Sequence, residues 1–189
     1  LTSLRKKYAK EEIEIRVDAN GAFKEEEALD KLNKLAACEI HSIEQPIKQG
    51  FPLKKKNICK NTPLPVALDE ELIGHFTIKE KEDLLQTILP QYIILKPSLV
   101  GGFKACEEWI EIAEKLNIGW WITSALESNI GLNAIAQWTY TLNNKIPQGL
   151  GTGLLFTNNF DSPLRIRDGK LFYDRDSSWE QNLIDKLCT

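Results

Sequence analysis

Asp18, Glu44, Asp69 and Lys96 share a position: each closes a run of β-forming residues, and successive members lie 25 to 27 residues apart. The lysine is the oddest of them. It ends the apolar run Ile93-Ile94-Leu95, and an ammonium group is costly to bury unless a partner or a reaction requires it. Three carboxylates brought to one place would repel and raise one another's pKa, unless a divalent cation neutralised them. A ligand set made only of oxygen, without Cys or His, favours a hard ion: Mg²⁺, with Mn²⁺ as the alternative. Taken singly, each acidic residue also reads as a cap or a solvated loop start, and Lys96 as a snorkelling lysine. Their recurrence at the same place in successive units is the argument for a set.

The elements that must position these groups alternate along the chain. EIEIRVDAN, HSIEQP, PLPVALDE, YIILKPSLVGG and GWWITSALES read as strands, and QGLGTGLLF as a weaker one. Between them, FKEEEALDKLNKLAA and FKACEEWIEIAEKLN carry apolar residues at helical spacing. IGLNAIAQWTYTL reads as another helix, opened by Ser128 or Asn129. Strands alternating with helices, some of them apolar throughout, predict an α/β fold with a parallel sheet covered on both faces. A period of 25 to 27 residues is about one unit of a TIM-type (β/α) barrel, whose C-terminal strand ends converge on one mouth. Residues 1–153 are assigned to this partial barrel. Residues 154–189 are a tail with a β-hairpin turning at Asp168-Gly169 and a short helix packing on the barrel.

Composition narrows the function classes. The chain has 189 residues, 42% hydrophobic, with a formal net charge of -3. That suits one real core and gives no electrostatic reason to expect nucleic acid or an anionic membrane as partner. Cys38, Cys59, Cys106 and Cys188 form no C-x-x-C pair and, with two histidines, no zinc pattern, so reduced thiols in the cytoplasm are expected. No apolar run approaches the roughly 20 residues a bilayer span needs. The chain starts on Leu and has no Met, so it reads as part of a longer translation product.

VDANGAF, IEQP, ALDEELIG, ILKPSLVGG and SALESNIGL, in this order, resemble the barrel domain of the enolase superfamily, in its muconate-lactonizing-enzyme-like subgroup. Within it they look most like the o-succinylbenzoate synthase family. The resemblance runs from about Glu12 to about Gly153. It implies that Asp18, Glu44 and Asp69 bind Mg²⁺ and that Lys96 is catalytic, assisting electrostatically. It further implies a small-molecule carboxylate substrate, 2-succinyl-6-hydroxy-2,4-cyclohexadiene-1-carboxylate. The substrate would lose a proton α to its carboxylate and then water, giving o-succinylbenzoate for menaquinone biosynthesis. Such an enediolate needs positive charge placed in advance. Arg16 and Asn20 are candidate substrate contacts facing the same mouth as Asp18, with a core ion pair and a turn as their structural alternatives. Ser124 and Gly149 match places where the family meets the succinyl arm. Glu70 and Glu127 are candidates for supporting the site, while Trp120 and Trp121 read as packing.

The family's acid/base lysine lies in a K-x-K motif on a strand upstream of Asp18's, and LTSLRKKYAKEE looks instead like the intervening helix. Lys6, Lys7 and Lys10 read as its solvated face. The N-terminal capping domain and the first barrel strands are also absent from the chain, so the missing N-terminal part of the same enzyme is an expected partner. The chain alone is expected to be inactive, and a homo-oligomer is compatible with the sequence. Two alternatives stay open: an N-acylamino acid racemase or dipeptide epimerase of the same subgroup, and a non-catalytic barrel fragment. Gly149-Leu-Gly-Thr-Gly153, in place of the epimerases' D-x-D, argues against an ammonium-bearing substrate.

Overall fold

Short apolar strands alternate with helices from the first residues onward. The order is α1 (Thr2–Lys7), β1 (Arg16–Asp18), α2 (Glu25–Ala36), β2 (Ser42–Glu44), α3 (Pro52–Asn61), β3 (Val66–Leu68), a 3₁₀ turn (Glu70–Leu72) and α4 (Ile78–Ile88). There follow β4 (Tyr92–Leu95), α5 (Pro97–Val100), α6 (Gly102–Lys115), β5 (Gly119–Ile122), α7 (Asn129–Thr141), β6 (Leu164–Arg167) and β7 (Lys170–Tyr173). The computed structural model describes residues 1–183; the short helix expected near the C-terminus and Cys188 lie outside the described residues.

Strands β1 to β5 form one sheet in sequential order. β1–β2, β2–β3 and β3–β4 pair in parallel, as the helical crossovers require: Asp18 lies opposite Glu44, and Glu44 opposite Ala67. Val66, Ala67, Leu68, Ile93, Ile94 and Leu95 are all at most 1% exposed, so both faces of β3 and β4 are covered. The first strand is shorter than its sequence suggests. EIEIRVD is β-like throughout, but only Arg16–Asp18 pair along β2. The glycine-rich QGLGTGLLF forms no strand, only an isolated parallel bridge between Thr123 and Gly149.

The described residues fall into two compact units, one of Leu1–Leu95 with Val100–Trp120, the other of Lys96–Leu99 with residues 121–183. In the first unit α2 packs on α3, α3 on α4 and α4 on α6. Each helix turns a stripe at i, i+3, i+4 spacing inward: Ala28 and Leu32; Ile58 and Cys59; Leu84, Leu85 and Ile88; Cys106, Trp109, Ile110 and Ala113. A T-x-x-E capping box starts α4, where Thr77 Oγ1 accepts from Glu80 N and Glu80 accepts from Thr77 N. In the second unit, Asp168 (φ +50°) and Gly169 (φ +69°) turn the antiparallel β6–β7 hairpin as the sequence predicts. Ser128 occupies the N-cap of α7 without a side-chain cap bond, while Asn129 binds Asn159 and the Phe160 carbonyl.

Lys6, Lys7 and Lys10 are exposed, with Lys10 beyond the end of α1. Arg5 holds the α1 segment. Its guanidinium donates to the carbonyls of Tyr8, Ala9, Ile13, Cys38 and Glu39 at 2.9 to 3.4 Å. A planar five-donor fork suits that arrangement and an ammonium does not. Arg5→Lys is therefore expected to lower stability by about 2 kcal/mol, taking several charge-assisted bonds as partly replaced by water; urea unfolding checks this.

Burial pushes the Cys59 and Cys106 thiols up to about 12, whereas Cys38 is half-buried. Since the thiolate is the reactive form, N-ethylmaleimide at neutral pH is expected to modify Cys38 in the native protein and leave Cys59 and Cys106 intact until it unfolds. Peptide mass mapping reads the result. Among the described residues no helix is long and apolar enough to cross a membrane.

Candidate active site

The candidate residues divide between the two units: Arg16, Asp18, Asn20, Glu44 and Asp69 in the first, Lys96, Ser124 and Gly149 in the second. In the first unit the ladder does the positioning. Register partners in a parallel sheet point to one face, so Asp18 and Glu44 share a side, with backbones about 4.8 Å apart. Asp69, two residues past Glu44's partner Ala67, returns to that face one step further on. The loops that follow these strands are zipped together. Ala19, Gly21 and Phe23 donate their N–H groups to the carbonyls of Glu44, Gln45 and Pro46 at 2.7 to 3.0 Å. A Cβ on Gly21, which has φ +67°, would lie 2.9 Å from the Lys48 backbone, so this approach requires glycine.

Asp18 is exposed, and its oxygens accept from Asn20 N (2.7 Å) and Asn20 Nδ2 (2.8 Å). Asn20 thus orients a carboxylate as well as making the turn, at φ +46°. Asp69 is 3% exposed, and its N–H is held by Gln45 Oε1 at 3.3 Å. Among the described residues no three His, Cys, Asp or Glu side chains stand together closely enough to hold a metal ion. The donor set still fits a hard divalent cation: three carboxylates, from one face and one end of neighbouring strands, with a second lone pair left on each Asp18 oxygen.

Arg16 sits at the other end of β1, paired in register with Ser42. Its Nε and Nη2 meet Glu14 Oε1 at 2.8 and 2.6 Å. His41 lies nearby, bonded to Ser42 Oγ at 2.9 Å and tilted against Tyr92 with ring centroids 4.9 Å apart. Burial holds its pKa below the usual histidine value, and Arg16 adds to this while Glu14 opposes it. Arg16 thus makes an ion pair with the exposed Glu14, about 7 Å along the strand from Asp18.

In the second unit, Lys96 is half-buried, and its carbonyl accepts from Leu99 N at 2.8 Å where α5 begins. Ser98 Oγ donates to Glu127 Oε1 at 2.5 Å, and Glu127 Oε2 accepts from Ala125 N at 2.8 Å. Glu127 thereby ties the segment after Lys96 to the loop after β5. Ser124 is buried, its hydroxyl 2.6 Å from Thr152 Oγ1. Gly149 has a packing reason as well: its Cβ would fall 2.4 Å from Thr123 Oγ1, and its carbonyl accepts from Ser124 N and Thr123 Oγ1. Trp120 and Trp121 are buried, as packing residues should be.

Three further residues, which the sequence reading passed over, lie beneath the first set. Lys55 (1% exposed) and Glu71 (4%) form an ion pair at 2.8 Å, and Gln45 (1%) reaches from Glu71 to Asp69. The signal for Lys55 was its place one turn before Ile58 and Cys59, on the stripe that α3 buries.

Residues 1–175 match the enolase C-terminal domain-like family. The o-succinylbenzoate synthase of Desulfotalea psychrophila is 52% identical over 171 residues, which cover 90% of this chain and 46% of that protein. The crystal structure of MenC from the same organism superposes with a TM-score of 0.87 at 51% identity, over 90% of this chain and 48% of that one. The muconate lactonizing enzyme of Pseudomonas putida superposes with a TM-score of 0.79 at 26% identity, over 89% and 47%. The chain thus spans about half the length of the relatives it matches, and its α/β fold corresponds to part of the enolase-superfamily barrel.

Proposed function

Since the chain belongs to the enolase C-terminal domain-like family, we propose that it serves as an o-succinylbenzoate synthase. The reaction is dehydration of 2-succinyl-6-hydroxy-2,4-cyclohexadiene-1-carboxylate in menaquinone biosynthesis. The observation that carries this reading is the 52% identity, over 90% of the chain, to the D. psychrophila protein of that name. Asp18, Glu44 and Asp69 hold Mg²⁺, with Mn²⁺ as substitute. When bound, the ion supplies Lewis-acid charge to the substrate carboxylate, which makes the α-proton easier to remove.

The chain's own residues do the rest. Asn20 fixes the rotamer of Asp18, as outer partners of a metal ligand do. Lys96 keeps its ammonium charge beside the anion that develops on the substrate. Ser124 and the small Gly149 shape the region that receives the succinyl arm, and Arg16, paired with Glu14, is a further substrate contact. Proton abstraction falls to a lysine outside these 189 residues, supplied with the capping domain by the N-terminal part of the enzyme. A soluble diacid substrate and the free cysteines Cys38, Cys59 and Cys106 support a cytoplasmic location.

The test is an o-succinylbenzoate formation assay with Mg²⁺ on the full-length protein, beside an N-acylamino acid racemisation assay. Fast dehydration supports the reading. Racemisation alone, or neither activity, overturns it.

A further inference from the structure

We propose that Gln45 is a positioning residue. Held in place by the buried Lys55–Glu71 pair, it fixes the backbone of Asp69 relative to Glu44 and so sets the spacing of two of the three carboxylates. The inference rests on the metal-binding reading above and adds to it a part for residues that the reading does not use.

Gln45 follows Glu44 directly and has φ +38°, a left-handed conformation that a residue other than glycine adopts only when its surroundings hold it. Its own N–H donates to the Ala67 carbonyl at 2.9 Å, continuing the β2–β3 ladder. Its side chain then makes the connection that no ladder can. Oε1 accepts from Asp69 N at 3.3 Å, while Nε2 donates to the Ile47 carbonyl at 3.1 Å and reaches Glu71 Oε2 at 3.5 Å. A carboxamide is the side chain that can accept from Asp69, donate to Glu71 in the same turn and donate to Ile47 in its own loop.

What keeps the carboxamide in this orientation is the charge below it. Glu71 can only accept, so it faces the Nε2 end of Gln45 and leaves Oε1 for Asp69. It also accepts from Gly50 N at 3.1 and 3.3 Å. Lys55 Nζ neutralises Glu71 at 2.8 Å and donates to the Lys48 carbonyl at 2.5 Å. The loop of residues 45–50 and the turn of residues 69–71 are therefore bound to one another through a single buried, polar set. That set adjoins a cavity of about 280 Å³ lined by Asn20, Gly21, Gln45, Lys48, Phe51 and Glu70, among others. A side chain that only filled space would not need this directionality.

The experiment uses the full-length protein and its Gln45→Met variant, which keeps the side chain's length and removes its polar atoms. Three quantities are read: Mg²⁺ affinity by calorimetry, amide hydrogen exchange at Asp69, and Tm without metal. The expected result is at least tenfold faster exchange at Asp69, about tenfold weaker Mg²⁺ binding, and a Tm within a few degrees of the parent. Unchanged exchange and unchanged affinity overturn the proposal. If the parent itself fails to bind Mg²⁺, the functional reading has failed, and the exchange at Asp69 still decides whether the brace exists. Should the methionine variant not fold, Gln45→Glu replaces it, since it keeps the acceptor for Asp69 N–H but sets a second carboxylate against Glu71. Protection lost at Gly50 and kept at Asp69 then supports the brace, and equal loss at both overturns it.

Discussion

In the full-length protein, Lys96→Ala is expected to reduce kcat for o-succinylbenzoate formation about a thousandfold, with KM changed little and Tm within a few degrees of the parent. Removing one preorganised charge or donor aimed at a developing anion typically costs 10²- to 10³-fold in kcat, and the proposed role gives Lys96 a full charge. A change in kcat rather than in KM identifies an interaction made in the transition state alone. Stability should barely respond, because Lys96 is only half-buried and lies beyond the last residue of β4. Lys96→Arg separates charge from geometry. The variant keeps the positive charge on a longer, planar group, so partial recovery is expected, to within about a hundredfold of the parent under the same range of effects. Dehydration at more than half the parental rate in Lys96→Ala would remove this lysine from the mechanism. Activity lost in step with Tm would make its role structural.

The strand ends were legible because two independent signals coincide there. Asp18, Glu44 and Lys96 each close a β-like run, and their spacing repeats with the length of one strand plus one helix. The same logic found Asp69, although it lies just past β3, where it begins the 3₁₀ turn. The hairpin was equally plain, since Asp168-Gly169 can take the two positive φ angles that a tight turn needs. Arg16 shows what alternation alone leaves open. Period two gives the face of the sheet but not the depth along it, nor whether Glu14, on the same face, will take the charge first. Gly149 carries a packing reason beside its candidate role as a substrate contact, the approach of Thr123, which no local pattern announces. Lys55 and Lys81 were passed over for a similar reason. In PLKKKNICK one lysine among four is buried, and only its coincidence with the apolar stripe distinguishes it.

Those two lysines lead to the second large expected effect. Glu71→Ala should lower stability by about 3 to 5 kcal/mol, because it strands the Lys55 ammonium in a site from which water is excluded. For a domain of this size that corresponds to a fall in Tm of roughly 10 °C. Glu108→Ala, which removes the partner of Lys81, should cost much less. Lys81 is fully buried, but Glu108 is 26% exposed, so water entering the vacated space can solvate the ammonium. Lys81 Nζ also keeps the Ala105 carbonyl at 3.4 Å and the face of Trp109, 5.6 Å from its centroid. The contrast tests burial of the partner as the deciding variable, since the ion pairs themselves are of similar length, 2.8 and 2.6 Å. Equal losses in the two variants would refute that. Replacing both members of the inner pair, Lys55→Met with Glu71→Leu, should recover part of the stability lost in Glu71→Ala, because no unpaired charge is left. The recovery should be incomplete, since Gly50 N and Gln45 Nε2 both lose their bonds to Glu71, and water at the exposed Gly50 and the Ile47 carbonyl at Gln45 replace them only in part. If Gln45 depends on that pair for its orientation, the double variant should also bind Mg²⁺ more weakly than its stability would suggest. Stability and metal affinity would then separate in one protein, and that separation is what a pair serving only the core would not produce.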